Sequence, residues 1–171
     1  MTTEIPKIFF TADIVALLKI PEWRVLKFAQ GTEYQISPSH SDASGSGTRR
    51  VYDIEDVCQI ALALRLLDSG LGSKAIGQIL RMLRRKGGLS QLLEWDNKKL
   101  NALCLLIFRK SQLRRHPYAS GCRDAMFVVG FAEAQVEQAE RPQDDFMLLN
   151  VGSTFRVMKF RLRDLQKKKG S

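Results

Sequence analysis

Phe10 to Gln30, FTADIVALLKIPEWRVLKFAQ, decides how the first half of this chain of 171 residues is read. Thr11 stands where a helix cap is needed, because its hydroxyl can accept from backbone N–H groups two or three residues on. Asp13 adds an anion to the first turn, where the helix dipole favours one. Ile14, Leu17 and Leu18 then share one face. Lys19-Ile20 breaks the run. Pro21 suits the first turn of a second helix, where its missing N–H costs nothing. That helix carries Arg24 and Lys27 outward, and Trp23, Leu26 and Phe28 partly inward. Two helices this short do not hold alone, so their apolar faces need a third element. The pattern is that of a helix-turn-helix, whose second helix can lie in a DNA major groove. A plain helical hairpin buried in a core gives the same pattern.

A long polar stretch follows, GTEYQISPSHSDASGSGT, with Gly31, Pro38, Gly45, Gly47 and several serines. It reads as a loop or a hairpin with a soft tip. Arg49, Arg50, Val51 and Tyr52 come next. A hairpin beside a helix-turn-helix is a wing, and its arginines can neutralise phosphates. A surface loop that ends in two arginines is the plainer alternative. Asp53 is placed to cap a third helix, with Ile54, Val57, Cys58, Ala61, Leu64 and Leu67 at helical spacing. Gly70 ends it. Ser73 can cap a fourth, with Ile76, Ile79, Leu80 and Leu83 on one face. Gly87-Gly88 stops that helix and marks a candidate domain boundary.

Taken in order, these pieces resemble the winged helix-turn-helix domain of the MerR family of bacterial transcriptional regulators. The resemblance rests on Phe10-Thr11, on Leu17-Leu18-Lys19-Ile20 at the turn, and on Arg24 and Phe28 in the second helix. It continues through Arg50-Val51-Tyr52-Asp53, Glu55-Asp56-Val57, and Leu66-Leu67-Asp68-Ser69-Gly70-Leu71 followed by Ile76. It covers somewhat under half of the chain. It implies that the second helix reads the major groove and that arginine and tyrosine of the wing hold the DNA backbone. Three departures stand out. Leu26, Lys27 and Phe28 occupy the place where the family carries arginine and two aromatics. The wing loop is longer than usual. Gly87-Gly88 interrupts where typical members run on into a long dimerising helix, and no heptad spacer follows.

The second half has a different texture. LCLLIF (103–108), AMFVVGF (125–131) and FMLLNV (146–151) are short apolar runs suited to strands. Glu133 to Asp145 is acidic and polar, with Pro142 as a breaker. After Gly152, Ser153 can cap a last helix with Phe155, Met158, Leu162 and Leu165 on one face, although strand alternation competes over 155–162. The expected fold class is α+β: a winged helix-turn-helix over residues 1–86, then a small α+β domain with a short sheet over 87–171.

Forty-four per cent hydrophobic and 26% charged residues are ordinary for a globular protein. Net charge is +9, which suits a polyanionic partner. The excess is +3 over residues 1–86 and +6 over 87–171, so charge alone does not locate a DNA-binding face. No apolar run is long enough to span a membrane, and the first residues lack the pattern of a signal peptide. A cytoplasmic, nucleoid-associated protein is expected. Cys58, Cys104 and Cys122 form no CxxC pair, and an odd count argues against a disulfide framework. His116 and Cys122 alone do not make a zinc site. No phosphate loop and no Ser-His-Asp set is present, and His40 and His116 read as surface residues. The chain is therefore expected to be no enzyme and to hold no cofactor or metal.

The sequence thus predicts a sequence-specific regulator that binds double-stranded DNA as a homodimer on a near-palindromic operator. Its expected DNA contacts are Thr11, Arg24, Lys27, Arg49, Arg50 and Tyr52. Residues 87–171 are expected to dimerise or to take a protein partner or small effector. The basic run from Arg156 to Lys169 reads as a solvated face, or as a second, non-specific DNA contact. An excisionase-like or architectural DNA-binding accessory protein is the alternative.

Overall fold

The computed structural model describes residues 8–30, 34, 36, 38, 49–85, 87–109, 122–141 and 145–169. Strand β1 (Phe9–Phe10) leads directly into helix α1 (Thr11–Leu18), and α2 (Glu22–Gln30) follows. Thr11 is the first residue of α1 rather than its cap. Asp13 reaches back instead, and its carboxylate accepts from the Phe10 N–H at 3.0 Å. α1 ends at Lys19, which adopts a left-handed conformation at φ 55°. That turn and Pro21 redirect the chain into α2. Strand β2 (Val51–Tyr52) pairs antiparallel with β1, with Phe9 opposite Tyr52 and Phe10 opposite Val51. The tip of the expected wing hairpin lies outside the described residues. Tyr34, Ile36 and Pro38, within the polar stretch, are buried. The Tyr34 ring meets Phe28 edge-on, with centroids 4.7 Å apart.

Helix α3 (Ile54–Asp68) is the axis of the molecule. Ten of its 15 residues are buried, so it offers core contacts on nearly every side rather than along one stripe. Asp53 caps it as expected. The Asp53 carboxylate accepts from the Asp56 N–H at 2.8 Å, and Asp56 returns the bond from the Asp53 N–H at 3.1 Å. This reciprocal pair satisfies two donors that the helix start leaves unpaired. α4 (Ser73–Arg85) packs on α3. Buried Gln59 of α3 accepts two hydrogen bonds from the Arg84 guanidinium of α4, one of them at 2.7 Å.

A short 3-10 turn (Ser90–Glu94) and α5 (Asn97–Ala102) lead into a three-stranded antiparallel sheet. Its strands are β3 (Leu103–Arg109), β4 (Cys122–Val129) and β5 (Asp145–Asn150), in the order β4-β3-β5. Leu105 stands between Phe127 and Leu149, and Leu106 between Met126 and Leu148. Leu103, Leu105 and Ile107 join the helical core. Leu106, Phe108 and Val128 face the other way and form a second, smaller cluster with Ala134 of α6 (Phe131–Ala139).

Helix α6 corrects the sequence reading, which extends the strand to Phe131 and leaves a polar stretch after it. The strand stops at Val129. Glu133 turns back so that its carboxylate accepts from the Val129 N–H. Ala, Glu and Gln then favour helix over strand. The last element, α7 (Gly152–Lys169), is helical throughout, so the competition over 155–162 resolves to helix. Phe155, Met158 and Leu162 are buried as that register requires.

The expected division falls at a turn at Gly87, and one hydrophobic cluster includes residues from both sides of it. One cluster joins Phe9, Ile14 and Phe28 to Leu92, Leu103, Phe155 and Leu162. Glu55 at the start of α3 ties the turn down. Its carboxylate accepts from the Leu89 N–H at 2.7 and 2.8 Å and from the Ser90 N–H at 2.7 Å. Below this knot lies Cys58, fully buried. Burial pushes its thiol pKa well up, and the Glu55 and Asp53 carboxylates add to the shift. The thiol stays protonated and packs as a small apolar group.

The start of α7 is seated on backbone. A Cβ on Gly152 stands 1.5 Å from the Leu100 carbonyl oxygen. Gly70 differs: its φ is +84°, but nothing lies within 4 Å of the added atom. Gly152→Ala is expected to destabilise the fold by about 3 kcal/mol or more, because backbone cannot yield as a side chain does. Gly70→Ala is expected to cost about 1–2 kcal/mol of left-handed strain. Urea unfolding ranks the two, and equal losses would contradict the close approach of α7 to α5.

Candidate nucleic-acid interface

The outer surface of α2 is built by elimination. Val25 and Phe28 are buried and hold the helix against the core. Trp23, Lys27 and Gln30 are exposed, at spacings of four and three, so they share a face. Trp23 is 63% exposed. The sequence reading turns it partly inward, but with Val25 and Phe28 fixing the buried face it falls on the opposite one. A tryptophan left this open on a charged helix is an available contact surface.

Beside α2 runs a cleft of about 340 Å³ lined by Phe10, Thr11, Ala12, Glu22, Leu26, Arg49 and Arg50. It brings three of the six expected contact residues together. Thr11 stands in the first turn of α1, half-buried. Arg49 and Arg50 arrive from the segment before β2, Arg49 exposed and Arg50 half-buried. Glu22 places a carboxylate in the same cleft and offsets part of their charge. The first N–H groups of α1 have no partners within the helix, which favours an anion at this end.

Two expected contacts lie elsewhere. Tyr52 has no exposed surface. Its ring is core, because β1 and α3 enclose β2 and direct this residue inward. It therefore presents no surface to a partner and stands inside β2, two residues after Arg50. Arg24 leans away from Lys27 and reaches the end of α3, where its guanidinium meets the Asp68 carboxylate at 3.2 Å. The pair is open to solvent, with the two side chains 32% and 56% exposed.

The basic helix α7 is less free than its composition suggests. Arg156 donates to the Asn101 side chain at 2.7 Å, Lys159 to the Trp95 carbonyl at 2.7 Å, and Arg161 to the Leu17 carbonyl at 2.8 Å. These cations clamp α7 to α1, α5 and the preceding turn. His40, His116 and the Cys122 side chain lie outside the described residues. Among the described residues, no group of three His, Cys, Asp or Glu side chains is placed to hold a metal ion. No described helix is long and apolar enough to cross a membrane.

No protein-family model and no curated protein sequence matches this chain.

An exposed pair such as Arg24–Asp68 contributes about 0.2–1 kcal/mol. Arg24→Ala is therefore expected to lower unfolding stability by less than about 1 kcal/mol. A loss several times larger, measured by urea unfolding, would show that Arg24 holds α2 in place rather than resting on the surface.

Proposed function

We propose that this chain is a sequence-specific DNA-binding regulator of the MerR type, working as a homodimer on a near-palindromic site. It acts by binding and performs no chemistry of its own. The observation that carries the reading is the pairing of two surfaces. The exposed Trp23, Lys27 and Gln30 face of α2 stands beside the cleft that gathers Thr11, Arg49 and Arg50. A short helix presented outward by a tight left-handed turn is the form in which a helix enters a major groove. Cations flanking it neutralise phosphates and set the register, while the helix face meets base edges.

In this reading Lys27 and Gln30 are the base-facing residues, and Trp23 packs against sugar or base edges. Arg49, Arg50 and the Thr11 hydroxyl hold the backbone. Arg24 sits at the margin, tethered to Asp68. One helix reads only a few base pairs, so useful specificity calls for two half-sites. The exposed apolar residues Val129, Phe131 and Val136 supply apolar surface for a second copy.

The test is anisotropy binding of the full chain to labelled duplexes across a salt series. Arg49→Ala and Arg50→Ala are each expected to weaken binding to all sequences and reduce the salt slope by about 1, and Lys27→Ala to cost about 1–3 kcal/mol and relax specificity at one position of the site. Glu22→Gln is expected to tighten binding to all sequences, since it removes an anion from the cleft. The proposal falls if all four variants bind as the parent does.

A further inference from the structure

A second cavity, of about 320 Å³, lies where α1, α2, α3 and α7 meet. Its chemistry divides cleanly. Leu18, Ile20, Ala61, Leu64, Val157 and Met158 line an apolar part. Arg24, Arg65 and Arg161 line the polar part, with the Asp68 carboxylate and the hydroxyls of Ser153 and Thr154. Three guanidiniums against one carboxylate leave the cavity strongly electropositive.

The three arginines are held but not used up. Arg24 donates to Asp68 at 3.2 Å, Arg65 through Nε to the Asn150 carbonyl at 3.3 Å, and Arg161 through one terminal nitrogen to the Leu17 carbonyl at 2.8 Å. A guanidinium carries five N–H donors. Each of these therefore keeps donors that meet no other acceptor among the described residues. Arg65 and Arg161 are half-buried, which lowers the local dielectric and strengthens an anion contact there, while Arg24 stands on the solvent-open side. Anchored, planar, partly desolvated guanidiniums suit carboxylate or phosphate oxygens.

We propose that this cavity binds a small organic anion, an oxyanion carried on a short apolar body. The oxyanion lies among Arg24, Arg65 and Arg161, and the apolar body lies against Leu18, Ile20, Leu64 and Met158. The volume falls within the range of small-ligand pockets. The site stands on the cavity alone and holds whether or not the chain binds DNA. Because it is walled by helices from both halves of the chain, its occupant bridges α2 and α7.

Titration calorimetry on the full chain tests this with defined probes. Hexanoate and phenyl phosphate carry both parts of the ligand. Hexanol lacks the charge, and acetate and inorganic phosphate lack the apolar body. At least one of the two complete probes is expected to bind about tenfold tighter than the incomplete ones, the gain of a charge-assisted contact. Hexanoate alone assigns a carboxylate ligand, and phenyl phosphate alone a phosphate monoester. Arg65→Gln is expected to weaken that binding about tenfold, and Asp68→Asn to tighten it. Val157→Trp, at a position 41% exposed, narrows the cavity from its solvent side and is expected to abolish binding while thermal unfolding stays unchanged. Complete probes that bind no better than hexanol and acetate overturn the proposal. So does binding that survives Val157→Trp undiminished.

Discussion

Helix α3 has almost no solvent face, and that constraint sets the position of everything around it. A helix buried on most sides needs apolar neighbours on most sides. α4, the strand pair, the 3-10 turn and α7 supply them. Its polar residues must also be satisfied, because an unpaired buried polar group costs about 1–3 kcal/mol. Asp56 and Gln59 are the two buried polar residues, and each has a defined partner: the Asp53 N–H and the Arg84 guanidinium. Glu55 then carries the constraint forward to Leu89 and Ser90. A hydrogen bond to a charged group contributes about 1.5–3 kcal/mol, against about 0.2–1 for an exposed ion pair. Glu55, rather than Arg24–Asp68, is therefore the polar tie that matters to the fold. It joins the first half of the chain to the second.

Much of this was readable from the sequence, and the gaps have physical causes. The spacing of Ile14 and Leu17, of Ile76 and Leu80, and of Phe155, Met158 and Leu162 marks three helices whose buried faces agree with it. Asp53 reads as a cap because an acid before an apolar period satisfies helix N–H groups in any context. The apolar strands also stand close to where their runs lie. Local pattern fails where burial is decided by distant partners. Tyr52 lies in a two-residue strand, too short for alternation to say which side is core. Trp23 sits on a nine-residue helix with mixed apolar residues, so the inner face emerges only when Val25 and Phe28 are packed. α6 is hidden because an apolar run and an acidic run meet inside it, and neither alone signals a helix. The core that spans the turn at Gly87 is a long-range fact with no local signal.

The candidate interface divides in the same way. Thr11, Arg49 and Arg50 gather in one cleft, and Lys27 stands on the exposed face of α2 nearby. Arg24 instead belongs with Arg65 and Arg161 around the inner cavity. α2 therefore has two working sides. One faces solvent and is the proposed DNA surface. The other turns a guanidinium toward α3 and α7, where the second half of the chain closes the cavity. The internal bonds of Arg156, Lys159 and Arg161 give the same lesson about α7. Its charge stabilises the packing of the two halves as well as raising the net charge.

The proposed role depends on whether α2 reads sequence. Selection of duplexes by the full chain from a random library, followed by sequencing of the bound pool, tests it most directly. Enrichment of an inverted repeat with two short half-sites about one helical turn, or a whole number of turns, apart is expected. A bound pool with no enriched motif, or no duplex retained at low salt, would contradict it.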